Sequence, residues 1–342
     1  MKKVWKSKRF TVGFLFISLL LAASLSYDWF FQNDVPKAEL RYIDGEVQTP
    51  PYSPWDYPPF GTNNLGESLF HVLLIGAKYT LGVALLIALL RFVLSVVVGT
   101  VSEMYAPKWT EKIRPWIEAF YYYPVTLIAF LMLQWLLFQD GMFDGTDAEF
   151  TYSFNTRVIV EVSVLTLIAM PITSLTIANE VKQIKLKEFM ESVQILGGGR
   201  FHVLKKHVMP FLKPQLIVVF LREVIQVLVL LAHLGILGIF FGGGDQKKDL
   251  FDNNVFVSLS NEWSGLIGNN FAFLFTTYWW MAIAPILMLT LAVLAFKLMV
   301  EGYLTVQKQP SNTDSREYIE EKQVVGEPFE WLHESDHRVS ND

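Results

Sequence analysis

The sequence has no cysteine among its 342 residues. Disulfides and thiolate metal sites are therefore excluded. No G-x-x-x-x-G-K-[ST] motif occurs, so the chain has no P-loop of its own for holding a nucleoside triphosphate. Charge is scarce as well, at 18% of residues, against about a quarter in soluble domains. The net charge of −5 comes from the end of the chain, since residues 301–342 hold ten acidic and four basic residues. The remainder is close to neutral, and no basic field for nucleic acid is visible.

What is abundant is apolar surface: 52% of residues are hydrophobic and 15% aromatic, which is membrane-protein composition. Apolar runs occur at about 10–26, 76–101, 115–138, 157–178, 215–241 and 273–300. Most reach the roughly 20 residues needed to cross a hydrocarbon core. The expected fold is an all-α polytopic membrane protein with six transmembrane helices. Pro124, Pro171 and Pro285 fall inside three of them, where proline is tolerated and marks a kink. The first run follows Lys2, Lys3, Lys6, Lys8 and Arg9, and reads either as a signal peptide with a small-x-small site at Ser24-Leu-Ser26 or as a retained signal anchor.

Basic residues set the orientation. Segments 1–9, 102–114 and 179–214 carry five, three and seven Lys/Arg, whereas 28–75, 139–156 and 242–272 carry two, none and two. Fifteen against four places both termini in the cytoplasm. The organisation is then an anchor helix with an extracytoplasmic loop over 1–75, a membrane domain over 76–303 and an acidic cytoplasmic tail over 304–342. Six prolines between 28 and 75 exclude continuous helix there. That loop reads as an ordered or semi-ordered segment, either a spacer or a partner surface.

One interior polar stretch, Phe189–Pro210, has amphipathic patterning. Phe189, Val193 and Leu196 share a helical face, with Glu188, Glu191 and Gln194 off it. Gly197-Gly-Gly199 breaks the helix. A second short helix places Phe201, Leu204 and Val208 opposite Arg200, Lys205 and Lys206, and Pro210 closes it. Lying on the cytoplasmic side, this helix–break–helix has the form of a docking element.

Among the charges inside the apolar runs, Arg91, Glu161, Arg222 and Glu223 stand away from the run ends. An intramembrane charge must face protein or water and is a functional candidate. Arg91 can equally pair structurally with a carboxylate such as Glu223. Lys78, at an outer helix end, can snorkel. His333-Glu-Ser-Asp-His337 matches the H-E-x-x-H zinc pattern but lies in an acidic, apolar-poor tail without a third ligand or cleft. Gly242-Gly-Gly244 with Lys247 and Lys248 lacks phosphate-loop spacing. No catalytic group, metal site or cofactor is expected.

The Phe189–Pro210 stretch resembles the E-A-A-x3-G-x9-I-x-L-P loop of the permease subunits of bacterial ABC importers. Glu191 matches its acidic residue, Gly197 its glycine and Pro210 its final proline, with Ser192 and Val193 in place of the alanines. Lys206 and His207-Val-Met-Pro210 resemble the R-H-I-L-P ending of the peptide-importer branch. Pro59-Phe-Gly-Thr-Asn-Asn-Leu-Gly66 resembles H-P-L-G-T-D-x-x-G, Ile75–Leu81 resembles Y-G-A-R-I-S-L, Glu262–Ile267 resembles S-W-G-x-M-I, and Pro285–Gly302 fits the last helix. These segments span most of residues 10–303 in family order and point to the C-type permease of dipeptide and oligopeptide systems. The chain departs from the pattern at Asn63, at Gly66-Glu-Ser68 in place of G-R-D, and in its acidic extension.

The resemblance implies a retained first helix, a bacterial inner-membrane location and a heterodimer with a B-type permease. It also implies two cytoplasmic ATPase subunits and an extracytoplasmic substrate-binding protein. The loop between helices 4 and 5 would be a coupling helix in which Phe189, Glu191, Ser192, Val193, Gly197, His207 and Pro210 meet an ATPase. Peptides are the implied substrate, with nickel or another small solute as the alternative. A degenerate permease serving as a sensor or scaffold is a further reading.

Overall fold

The computed structural model of the chain describes residues 4–43, 46–137, 150–195, 197–248 and 254–308. Leu196 and the tail beyond residue 308, with His333 and His337, lie outside them. The protein is an all-α polytopic membrane protein. Among the described residues five helices are long and apolar enough to cross a membrane. They are α1 (Lys8–Phe31), α2 (Leu69–Tyr105), α5 (Phe154–Lys185), α8 (Met209–Ile236) and α10 (Trp280–Lys308). Between them lie α3 (Pro107–Ala119), α4 (Val125–Leu137), α6 (Glu188–Ile195), α7 (Arg200–Val203) and α9 (Trp263–Asn270). α4 is apolar but shorter than the other spans.

The helices are sorted by side-chain size and polarity rather than by hydrophobicity. Leu86, Leu90, Val93 and Val97 of α2 are exposed, while Ala84, Ala88, Arg91 and Ser95 are buried. Large aliphatic side chains face lipid, and small or polar ones face protein, where they let helices approach and bond. α2 packs along α5 and α8, and α1 lies against α10 and α2. Ser24, inside the candidate cleavage site, is buried within α1, and its hydroxyl accepts the Lys78 backbone N–H at 3.2 Å. Lys78 does not snorkel freely: its ammonium lies 2.9 Å from Asp28 and donates to Asn33 at 3.0 Å.

Two proline expectations need correction. The run at 115–138 is not one helix. A 3-10 turn at Phe120–Tyr122 ends with Tyr123 extended (φ −94°, ψ 135°), and α4 starts beyond Pro124. The residue before proline is pushed out of the α region, which makes the break local to Tyr123. Pro171 and Pro285, by contrast, sit inside continuous helix. Pro210 does not close a second short helix either. It lies in the first turn of α8, and helix continues from α7 through a π turn at Leu204–Val208. Proline clashes with the carbonyl four residues back, and a widened turn placed just before it relieves that clash.

Outside the membrane the proline-rich segment is ordered around Tyr52. Its hydroxyl accepts the Arg41 N–H and lies within hydrogen-bond reach of the Gln48 carbonyl, while its own N–H donates to the Thr62 hydroxyl. β1 (Arg41–Ile43) and β2 (Glu46–Gln48) form one hairpin, and β3 (Gly244–Lys248) and β4 (Asn254–Ser258) form another. α9 is anchored by Trp263, which is fully buried. Its indole N–H donates to the Leu73 carbonyl at 2.8 Å, and its backbone N–H donates to the Thr80 hydroxyl at 2.9 Å.

Candidate functional site

Between α5 and α8 the chain builds a helix–turn–helix over the stretch that the sequence pattern singled out. α6 follows α5 after a two-residue turn and is rooted by Met190, which is 1% exposed. Met190 packs with Met104, Val181, Ile184, Val208 and Leu212, and Phe189 and Val193 lie against the same cluster. The Phe189 and Phe211 rings are 5.0 Å apart, tying α6 to the base of α8. Phe189 and Val193 therefore face the membrane domain, whereas Glu191 and Ser192 face solvent. Gly197 has φ +73° with nothing within 4 Å of an added Cβ, so backbone conformation alone selects glycine there. His207 is half-buried and Pro210 exposed on the α8 base.

Among the described residues, two apolar side chains at the tip of this element stand largely exposed. Ile195 is 85% and Phe201 67% exposed, on either side of the Gly197 turn. The sequence pattern put Phe201 with Leu204 and Val208, but only Val208 is fully buried. Met190 and Ile195 were legible only as apolar residues off the main stripe. The root of the element is braced from the side: Lys185 Nζ lies 3.0 Å from the buried Glu103 carboxylate of α2, and Lys182 Nζ lies 2.7 Å from Glu111 of α3. The Lys182 hydrogen bond and charge hold the Glu111 carboxyl below the ordinary range.

Deeper in the bundle Arg91 and Glu223 form a buried ion pair, Nη1 to Oε2 at 3.1 Å. Arg91 also donates from Nη2 to the Leu165 carbonyl at 2.6 Å, and the Thr173 hydroxyl donates to Glu223 Oε1 at 2.7 Å. Three helices, α2, α5 and α8, are thus joined next to the proline turn of α5. Arg222 is adjacent in sequence but projects elsewhere, exposed. Glu161 is buried toward the outer end of α5 and accepts the Gly242 N–H at 2.9 Å. Gly242 has φ +74°, and a Cβ there would lie 2.6 Å from the Phe154 ring. The glycines after α8 thus make a tight turn that a buried carboxylate caps. A second carboxylate, Glu262, was not singled out by sequence. It accepts the Phe241 N–H at 3.0 Å and is contacted by the Ser258 and Ser260 hydroxyls. Burial pushes its carboxyl up.

Beside the ion pair opens a cleft of about 390 Å³, lined by Arg91, Tyr123, Thr126, Ile172, Thr173, Gln226, Val229 and His233 among others. On α8, Arg222, Gln226, Val229 and His233 fall at i, i+4, i+7 and i+11 and are all exposed. A polar stripe on a membrane helix must meet water or protein, because hydrocarbon cannot satisfy it. Tyr123, Thr126 and Gln226 were not legible in the sequence because helix rotation decides which face they take, and His233, an isolated histidine expected to be structural and satisfied, is instead exposed on the cleft. The cleft sets these polar side chains beside the buried ion pair.

No family model matches the chain. It is similar to the dipeptide transport system permease protein DppC of Bacillus subtilis (strain 168), 24% identical over 294 residues that cover 86% of this chain and 78% of that protein. A stretch of that length in a chain of 342 includes both the cleft and the α6 loop.

Proposed function

We propose that this chain is the transmembrane permease subunit of an ATP-driven ABC importer for peptides. It is a multi-pass inner-membrane protein, a transport subunit whose α2, α5 and α8 frame one side of the translocation path. The likeness to a dipeptide-transport permease over most of both chains favours import over a sensing or scaffold role and peptides over other small solutes. The family resemblance supplies the rest of the assembly. A second permease of the B type pairs with this chain and closes the polar cleft. ATP is held and hydrolysed by two separate cytoplasmic ATPase subunits, and an extracytoplasmic binding protein delivers the peptide.

The observation that carries the coupling role is the apolar pair Ile195 and Phe201, exposed at the tip of an element whose root is buried. A groove on an ATPase subunit covers that pair, with Glu191 and Ser192 at its rim and Gly197 shaping the turn. ATPase closure pushes on α6, and the Lys185–Glu103 and Lys182–Glu111 bridges pass the displacement to α2 and α3. The helices around the cleft then tilt between inward-open and outward-open states. No step here makes or breaks a covalent bond. The test is uptake of a labelled dipeptide by cells lacking this chain and complemented with it. Restored uptake, competed by unlabelled dipeptides and not by nickel ions, supports the reading; competition by nickel alone contradicts it.

A further inference from the structure

A second cavity, of about 500 Å³, lies on the outer face between the loop ahead of α2, the end of α8, β4 and α9. Its polar wall is Asn63, Asn64, Glu67, Asn261, Asn269 and Asn270. Among the described residues no lysine, arginine or histidine lines it, so Glu67 carries the only charge. Lys37 pairs with Glu67 through the backbone, yet the two side chains form no ion pair. The rings of Phe240 and Phe273 contribute apolar surface.

Glu67 is held in place by Asn63. The Asn63 side-chain carbonyl accepts the backbone N–H of Leu65 at 3.0 Å and of Glu67 at 2.8 Å, while its Nδ2 donates to Glu67 Oε2 at 3.0 Å. One carboxylate oxygen is thus engaged, and among the described residues Oε1 has no hydrogen bond. A positioned carboxylate with a free oxygen, in a cavity lined by asparagines, matches the N–H donors of a primary ammonium group. The same charge repels a carboxylate, so the cavity selects by sign. The adjoining apolar surface suits a short side chain next to that ammonium.

We infer that this cavity receives the free α-amino group of a small peptide, with Glu67 as its counter-ion, before the peptide enters the path. The inference rests on the peptide-importer reading and names the end of the substrate that the outer face recognises. It is tested by saturation-transfer NMR on the full chain in lipid nanodiscs, using glycyl-leucine and N-acetyl-glycyl-leucine as probes. The wild type is expected to favour the free amine by about tenfold or more, as loss of a charge-assisted hydrogen bond implies. Glu67→Gln should abolish that preference. Asn269→Asp, which adds a second carboxylate at a partly exposed position, should sharpen it. Equal binding of both probes, or a preference untouched by both substitutions, would overturn the site. So would Glu67→Gln weakening attachment of the binding protein while leaving peptide preference intact, which would assign the carboxylate to a docking lysine instead. Because binding is read on this chain by itself, failure here alongside intact ATP-driven uptake removes the site and leaves the transport function standing. Intact amine preference without uptake does the reverse.

Discussion

Arg91 of α2 and Glu223 of α8 meet at 3.1 Å inside the bundle, with side chains 1% and 6% exposed. Removing one partner of a buried pair strands the other charge, at a cost of about 3–5 kcal/mol, whereas replacing both with apolar residues is often close to neutral. Arg91→Met and Glu223→Met are therefore each expected to reduce folded protein in the membrane sharply. The double variant should recover it, as read by detergent-solubilised yield and melting temperature. A double variant that assembles but does not transport would assign the pair a role in the conformational cycle as well.

The turn at Gly197 separates backbone strain from crowding. A β-branched residue at φ +73° is an outlier, costing about 1–2 kcal/mol locally, and no neighbour adds a clash. Gly197→Val is thus expected to insert and pair normally yet lose peptide uptake, while Gly197→Asn, which tolerates that conformation, retains most of it. Ile195→Asp and Phe201→Asp should also lose uptake, and in those two variants co-purification of the ATPase subunits should fall in parallel. Retained ATPase binding in both aspartate variants would remove the tip from the interface.

Gln226 and His233 line the cleft, and among the described residues their side chains make no hydrogen bond. Substituting either with leucine should leave stability unchanged. Filling the cleft with Val229→Trp should lower uptake by about tenfold or more, roughly 1.4 kcal/mol on the transport step, without loss of assembly. Measured uptake rates beside melting temperatures separate the two effects.

Glu262 predicts a pH dependence of the outer turn. Burial raises its carboxyl above the ordinary range, so the folded state holds the proton more tightly than the unfolded state. The stability this adds is fully present below the ordinary carboxylate pKa. It is lost as pH rises from there through the raised value. The melting temperature should fall across that interval in the wild type and flatten in Glu262→Gln.

Hydropathy reached five of the spans, because bilayer thickness constrains their length locally, and missed the break at Tyr123 within the run at 115–138. The Arg91–Glu223 pairing was legible for a related reason: a charge in hydrocarbon needs an opposite one, and few were on offer. Helix rotation was not legible. α8 carries large aliphatic residues on its exposed side too, Val229 and Ile236 among them, so periodicity could not show that Gln226 and His233 share a cleft with Tyr123. Proline behaviour was equally silent, since Pro124 breaks a helix while Pro171 does not. Pro210 sits in continuous helix because the π turn before it makes room. The Glu161 and Glu262 caps join segments far apart in sequence, and no local pattern announces them.

The central claim is that α6 couples ATP hydrolysis elsewhere to peptide movement through this chain. ATP-dependent accumulation of a labelled dipeptide in proteoliposomes holding the full complex measures it most directly. With wild-type chain, accumulation should require ATP, and Gly197→Val should leave hydrolysis running while accumulation falls to background. Accumulation that persists at the wild-type rate with Gly197→Val, or when this chain is left out, would contradict the account.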